Sequence, residues 1–367
     1  MNQLFELTPI DFTQEPLFLG SGRNISRLDL SIQSNISAMT ANALGLMWFA
    51  DDFPYSKDAK DYQTMSPILR DLFLKNLKFQ TTLDSLAART VAEVFIPVTT
   101  NPQCESWWYS HAFFENNIHS LTYAEILKAM PTNAIEIFDD IMINDNIINR
   151  AKSILAVFEE TVVHNSMRSC NHPSYDLFEH QKSIIMSLYA LNILEAVLFK
   201  SSFLTSFGFK ENGMMSVTAD AIARINIDEI GHYGMTVNLL NHHRNNPQWA
   251  PAVAAVEQRA VNLYKSTLQA DYDWIDYLWE DGAQLLGLNS QVMKQYADHN
   301  IRSVMLSVGL EPITHDTFNP CLWASKYSKP SNIQTAQKEK TSANYKLGIT
   351  DTNMTQSDWD EIAKDLT

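Results

Sequence analysis

Six side chains on four stretches of this sequence have the types and spacing to hold a pair of metal ions. Glu229 and His232, in DEIGH, are three residues apart. On a helix such positions lie within about 60° of each other, so both side chains can reach one ion. Glu195 is the acidic residue of the apolar run NILEAVLF. A lone ionised carboxylate there either costs several kcal/mol or takes up a proton, so it calls for a partner. Asp84, in TTLDSLAART, stands in a similar apolar setting, and Glu115 and His119, in HAFFENNIHSLTY, form a second close pair. Each sign alone is weak. A single Glu-x-x-His is common on solvated helices, and a buried glutamate is more often a hydrogen-bonded structural group. All six, in the order Asp, Glu/His, Glu, Glu/His, are hard to explain separately.

The elements that must carry them read as helices. Amphipathic periodicity predicts helices near 32–48, 66–90, 102–129, 147–169, 178–206, 213–241, 250–283 and 289–308. The stretch 178–206 is apolar nearly all round, which places it at the centre of a bundle. The fold class is therefore all-α. A carboxylate from each of two helices and a Glu/His pair from each of two others is the recipe of a ferritin-like helical bundle with a carboxylate-bridged dimetal centre. Four ionised carboxylates balance two divalent cations, and carboxylates with imidazoles suit iron or manganese better than a thiolate site would. Three regions are expected: an N-terminal arm over 1–30, the dimetal domain over 31–320, and a polar, weakly periodic tail over 321–367.

Composition narrows the function. The 367 residues are 45% hydrophobic and hold only 11 glycines, which favours a large helical core over a turn-rich β fold. A net charge of -15 argues against nucleic-acid binding, which needs clustered Lys and Arg. Cys104, Cys170 and Cys321 are scattered, with no C-x-x-C pair, as in a reducing compartment. The opening MNQLFELTPIDFTQEP has no signal-like pattern, and no run reaches 18 apolar residues. No membrane span is expected, and the cytoplasm is the expected location. There is no phosphate-cradling glycine loop.

At these residues the sequence resembles the class I ribonucleotide reductase small subunit, from about Trp48 to Trp323. LKNLKFQTTLDS, AFFENNIHSLTYAEIL, IFDDI, LEAVLF, IDEIGH and DYDWIDYLWEDG are similar to the family's segments, and the spacings from Trp48 to Asp84 and from Glu195 to Asp228 agree. The resemblance implies a metal set of Asp84, Glu115, His119, Glu195, Glu229 and His232, holding two iron ions, with manganese or a mixed pair left open. It implies that Tyr123 becomes a stable tyrosyl radical inside an apolar cage of Leu77, Phe199, Phe203 and Ile225. It also implies that Trp48, Asp228 and the tail residue Tyr345 relay the radical, with Glu339 assisting. The expected partners are a second copy, in a homodimer, and a large subunit that reduces ribonucleotides to deoxyribonucleotides. Trp359, Ile362, Ala363 and Leu366 form one apolar helical face in the tail, suited to a groove on that large subunit. Other dimetal oxidases, such as acyl desaturases or hydrocarbon monooxygenases, and ferritin-type iron stores fit less well, because Tyr123, Asp84 and the Tyr345 tail have no place in them.

Two departures from the family bear on the metals. The family has Glu-x-x-His in the first pair, whereas here one further residue separates Glu115 from His119. In a regular helix this swings Glu115 by about 100° relative to Tyr123. Either the helix widens into a π-bulge and Glu115 still faces the metals, or the helix stays regular and Asn116 does. The bulge is the expected remedy, because Asn116 would leave two cations under-neutralised. His111 stands where the family often has Trp. It is expected to support a ligand or to pack in the core rather than to bind metal.

Overall fold

The structure, a computed structural model, describes residues 4–30, 32–141 and 143–329. Within them the chain forms α1 (Ser34–Gly45), α2 (Ala59–Thr64), α3 (Pro67–Thr90), α4 (Pro102–Phe113), α5 (Ser120–Ala129), α6 (Ala134–Ile141), α7 (Asp145–Ser169), α8 (Leu177–Ile193), α9 (Phe199–Glu211), α10 (Ser216–Asn245), α11 (Ala250–Trp279) and α12 (Ser290–Ser307). No strand forms among the described residues; there are only isolated bridges, Phe18 with Thr99 and Leu285 with Leu288. All eight expected helices are present. The periodicity missed α2 and α6, which span too few turns to repeat a pattern.

Local chemistry sets five of the helix starts. Ser66 accepts from the Leu69 amide ahead of Pro67, and the Asn101 side chain accepts from Gln103 and Cys104 ahead of Pro102. Asn144, Asp176 and Asn289 cap α7, α8 and α12 in the same way. Helix α10 is capped from elsewhere in the chain. Asp58 accepts from the Val217 and Thr218 amides at 3.2 and 2.7 Å, and Asp61 from Met215 at 3.0 Å. Two carboxylates at a helix N-terminus also complement its dipole.

Helices α8 and α9 run on through a π-helical turn, Leu194–Leu198, as one segment that packs on α3, α7, α10 and α11. This segment, Leu177–Glu211, is long and apolar enough to cross a membrane by length and composition, but it is almost wholly buried inside the bundle. Its neighbours cover it all round, which explains why it lacks a polar face. The arm does more than lie on the surface. Leu17 and Phe18 are buried, Leu19 and Thr100 exchange backbone bonds with Val98 and Leu17, and Phe18 stacks on His243 with ring centroids 5.4 Å apart. At the other end, Leu322–Ser328 is a 3₁₀ turn whose Tyr327 is buried against Phe207. The chain therefore stays on the folded body as far as Lys329, beyond the expected start of the tail at 321. Glu339, Tyr345 and the apolar face from Trp359 to Leu366 lie outside the described residues.

Candidate metal centre

Four helical segments converge: α3, the α4–α5 segment, the α8–α9 segment and α10. Asp84, Glu115, His119, Glu195, Glu229 and His232 are all buried where they meet. Their donor atoms fall into two groups, each within 4.8 Å mutual reach: Asp84, Glu115, His119 and Glu229 in one, and His111, Glu115, Glu195 and His232 in the other. Glu115 belongs to both, and Glu229 spans them, with Oε1 at 3.2 Å from His119 Nδ1 and Oε2 at 2.7 Å from His232 Nδ1.

The backbone explains how Glu115 gets there. Phe114–His119 is a π-helical turn, with both the amide and the hydroxyl of Ser120 bonded to the Glu115 carbonyl five residues back. A π-turn absorbs one residue without turning the helix that follows. Asn116 and Asn117 take up the excess and point to solvent, while Glu115 is turned inward. Of the two remedies the sequence allowed, the widened turn is the one formed. The π-turn that carries Glu195 had no insertion to announce it.

Beyond the cluster, His119 Nε2 lies 3.1 Å from Asp228 Oδ2, and the same oxygen accepts from Trp48 Nε1 at 2.7 Å. His119 thus turns one nitrogen to the carboxylates and the other to a buried Asp–Trp pair. Tyr123 follows His119 by one turn and is fully buried, its hydroxyl without a hydrogen-bond partner. Leu77 lies two turns before Asp84, Phe199 one turn after Glu195 and Ile225 one turn before Glu229, and Phe203 stacks on Phe199 at 5.2 Å. All are buried in one continuous apolar core with Tyr123. A cavity of about 210 Å³ between α1, α4 and α10 reaches Asp228 and His232.

The electrostatics are those of a cluster built around cations. Burial, then the charges of Glu229 and Glu115, holds the Glu195 carboxyl well above its usual range, and burial does the same for Asp84. Burial also acts on Glu115, but the His119 charge and the nearby imidazoles of His111, His119 and His232 pull it well below that range. Burial lowers His232, yet the Glu229 charge, the bond to Glu229 and the nearby Glu115 carboxylate raise it to about 9. His111 falls to about 4, through burial and the neighbouring His232. For Tyr123, burial and then the Asp84 charge push the phenol far above its ordinary value. Left to protons alone, Glu115, Glu229, His119 and His232 are pushed towards their charged forms, and Asp84 and Glu195 towards their neutral ones. Even so, both oxygens of Glu115 and of Glu195, Oδ2 of Asp84 and Oε1 of Glu229 lack a hydrogen-bond partner. Native interiors rarely strand so many acceptors together. Two divalent cations would supply the missing partners in place of those protons, and carboxylate oxygens with imidazoles suit iron or manganese.

The comparisons with known proteins agree with this geometry. The family model for ribonucleotide reductase, small chain, matches residues 32–320. This chain belongs to that family. The small chain is 30% identical to the ribonucleoside-diphosphate reductase 1 subunit beta of Escherichia coli O157:H7, over 96% of this chain and 97% of that one. It is 26% identical to the subunit beta of Enterobacteria phage T4, over 96% and 97%. Among solved structures, the ribonucleotide reductase R2 subunit of Clostridium botulinum superposes with a TM-score of 0.74 at 20% identity, covering 89% of this chain and 98% of that one. The dimanganese(II) NrdF of Streptococcus sanguinis superposes at 0.68 with 16% identity, covering 84% and 100%. The fold is thus ferritin-like, and the small chain is the radical-generating subunit of an oxidoreductase that works with a large subunit to make deoxyribonucleotides.

Proposed function

We propose that Tyr123 carries the radical, and that Asp84, Glu115, His119, Glu195, Glu229 and His232 hold the metal pair that produces it, iron in the first instance and manganese or a mixed pair otherwise. The observation that carries this reading is the set of stranded carboxylate oxygens facing one another at the level of four helices, one turn from a buried phenol. A bound metal pair with oxygen supplies one-electron oxidising power. The protein's own part is to confine it. The Tyr123 phenol is held inside a core of Leu77, Phe199, Phe203 and Ile225, which would keep water and reductants from a radical there.

Trp48 and Asp228 are suited to carry the oxidising equivalent outward. An indole that loses an electron becomes a stronger acid, and Asp228 Oδ2 at 2.7 Å is placed to take its proton and return it. His119 shares that oxygen, so the pair is joined to the cluster by one hydrogen-bonded path. Tyr345 is proposed as the tail member of the relay, with docking of the tail on the large subunit; these steps and the homodimer are carried by the family resemblance alone. The buried free thiols of Cys104 and Cys321 fit a cytoplasmic setting.

The test is Tyr123→Phe. Electron paramagnetic resonance of the aerobically reconstituted wild type should show a tyrosyl doublet. The variant should lose that doublet and reductase activity with the large subunit, while keeping its metal content and unfolding midpoint. A variant that remains fully active would remove Tyr123 from the mechanism.

A further inference from the structure

We propose that His111 is itself a ligand, a third imidazole that binds through Nε2 the metal position framed by Glu115, Glu195 and His232. The proposal rests on the dimetal reading above and extends its ligand set. His111 is only 1% exposed, and neither ring nitrogen has a hydrogen-bond partner. A buried imidazole is ordinarily satisfied on at least one side. His180 shows the ordinary case, with Nε2 at 2.8 Å from Asn165 and Nδ1 at 3.1 Å from the Tyr175 hydroxyl.

What faces His111 is carboxylate. Nε2 lies 3.3 Å from Glu195 Oε1 and 3.4 Å from Glu115 Oε1, without the alignment of a hydrogen bond at either. Donor atoms that sit about 2.1 Å from one cation, at right angles to each other, are about 3 Å apart. The separations are those of neighbours around an ion. His232 supplies the companion: its ring stacks on His111 with centroids 3.7 Å apart at 19°, and its Nδ1 lies 2.9 Å from the same Glu115 oxygen. Trp108, stacked at 6.0 Å, and Trp107, edge-on at 6.1 Å, flank the His111 ring. Unpartnered nitrogens alone do not make this case. His243 has them too, but it lies against the rings of Phe18 and Trp249.

A third imidazole makes the two positions chemically unequal. One would have His119 as its only nitrogen donor beside Asp84, and the other would have two, His111 and His232, beside Glu195. The nitrogen-richer position should favour iron over manganese more strongly. The test combines a structure and a titration. Crystals of the full chain loaded anaerobically with Mn(II) or Fe(II) are expected to show two ions, with His111 Nε2 within bonding distance of the one nearer Glu195. In anaerobic titration, His111→Gln should bind the first ion as wild type does and the second at least about tenfold more weakly. Unchanged thermal unfolding without added metal would show that the variant still folds. Two ions with His111 Nε2 bonded to neither, or a His111→Gln protein with both affinities intact, would overturn the proposal and leave the six-ligand site standing. A wild type that binds no ion between these helices would overturn both.

Discussion

Around Arg150 and around Glu115 the bundle buries charged groups on adjoining stretches of chain, and it treats them differently. Arg150 is fully buried between the rings of Phe79 and Trp274, at 3.8 and 4.0 Å. It donates to Asp271 and to the carbonyl of Leu198, and Ser201 donates to the other Asp271 oxygen at 2.6 Å. One positive and one negative group close on each other, and the rings cover what remains. Leu198 is three residues past Glu195, where four carboxylates face three imidazoles and most of their oxygens have no partner. In the first cluster opposite charges meet, and rings cover the guanidinium nitrogens Nε and Nη1, which have no hydrogen-bond partner. In the second, carboxylate oxygens face one another without donors, open to something brought from outside.

That contrast can be broken most forcefully by removing one carboxylate from each cluster. Asp271→Ala leaves Arg150 buried and uncompensated, which should cost about 3–5 kcal/mol of unfolding free energy by denaturant titration. Glu195→Gln replaces a carboxyl that burial and the neighbouring carboxylates push towards its protonated form when no cation is present. It should change the stability of the protein without added metal by less than about 1 kcal/mol, yet abolish two-ion loading. Equal losses of stability in the two variants would erase the distinction.

A buried group with neither partner nor cation sharpens the contrast at a smaller scale. Burial, and then the charge of His242, holds His243 down to about 3. The unfolded chain takes up this proton near pH 6.5, so the contribution of neutral His243 is whole above that pH and is lost as the pH falls towards 3. From pH 6.5 to 5 the loss should be on the order of 2 kcal/mol, and His243→Phe should flatten that part of the stability curve. A variant with the wild-type pH profile would show that another group controls it.

The smallest expected effect is at the π-turn. Deleting Asn116 removes the residue that the turn absorbs, so the helix can close regularly with Glu115 and the histidine still facing inward. Stability should change by roughly 1 kcal/mol or less, and both ions should still bind, as isothermal titration would read. Loss of an ion would mean that the wide turn itself shapes the site.

The same residues show how far a sequence can be read. The long helices and the six clustered side chains were legible because helical period and residue type are local properties. The widened turn at Glu115 was legible because an insertion broke a spacing. The one at Glu195 left no such trace. The capping of α10 by Asp58 and Asp61 was invisible, since its partners are more than 150 residues apart and meet only in the folded chain. His111 was visible one turn before Glu115, but support and ligation differ in its distance to Glu195 on another helix, and one helix does not encode that distance.

Where the chain leaves the bundle has a consequence of scale. Tyr327 is fixed three ways: its ring stacks on Phe207 at 4.2 Å, its hydroxyl donates to Glu211 at 2.5 Å, and its carbonyl accepts from Asn226 at 3.0 Å. Asn226 lies on α10, two residues before Asp228 and three before Glu229. Lys329 thus comes two residues after a tyrosine fixed to α9 and α10. From there to Tyr345 is sixteen residues, and even a fully drawn-out chain advances only about 3.5 Å per residue. In the proposed relay the backbone of Tyr345 therefore reaches no further than about 55 Å from Lys329, a radius that any docked arrangement of the two subunits has to respect.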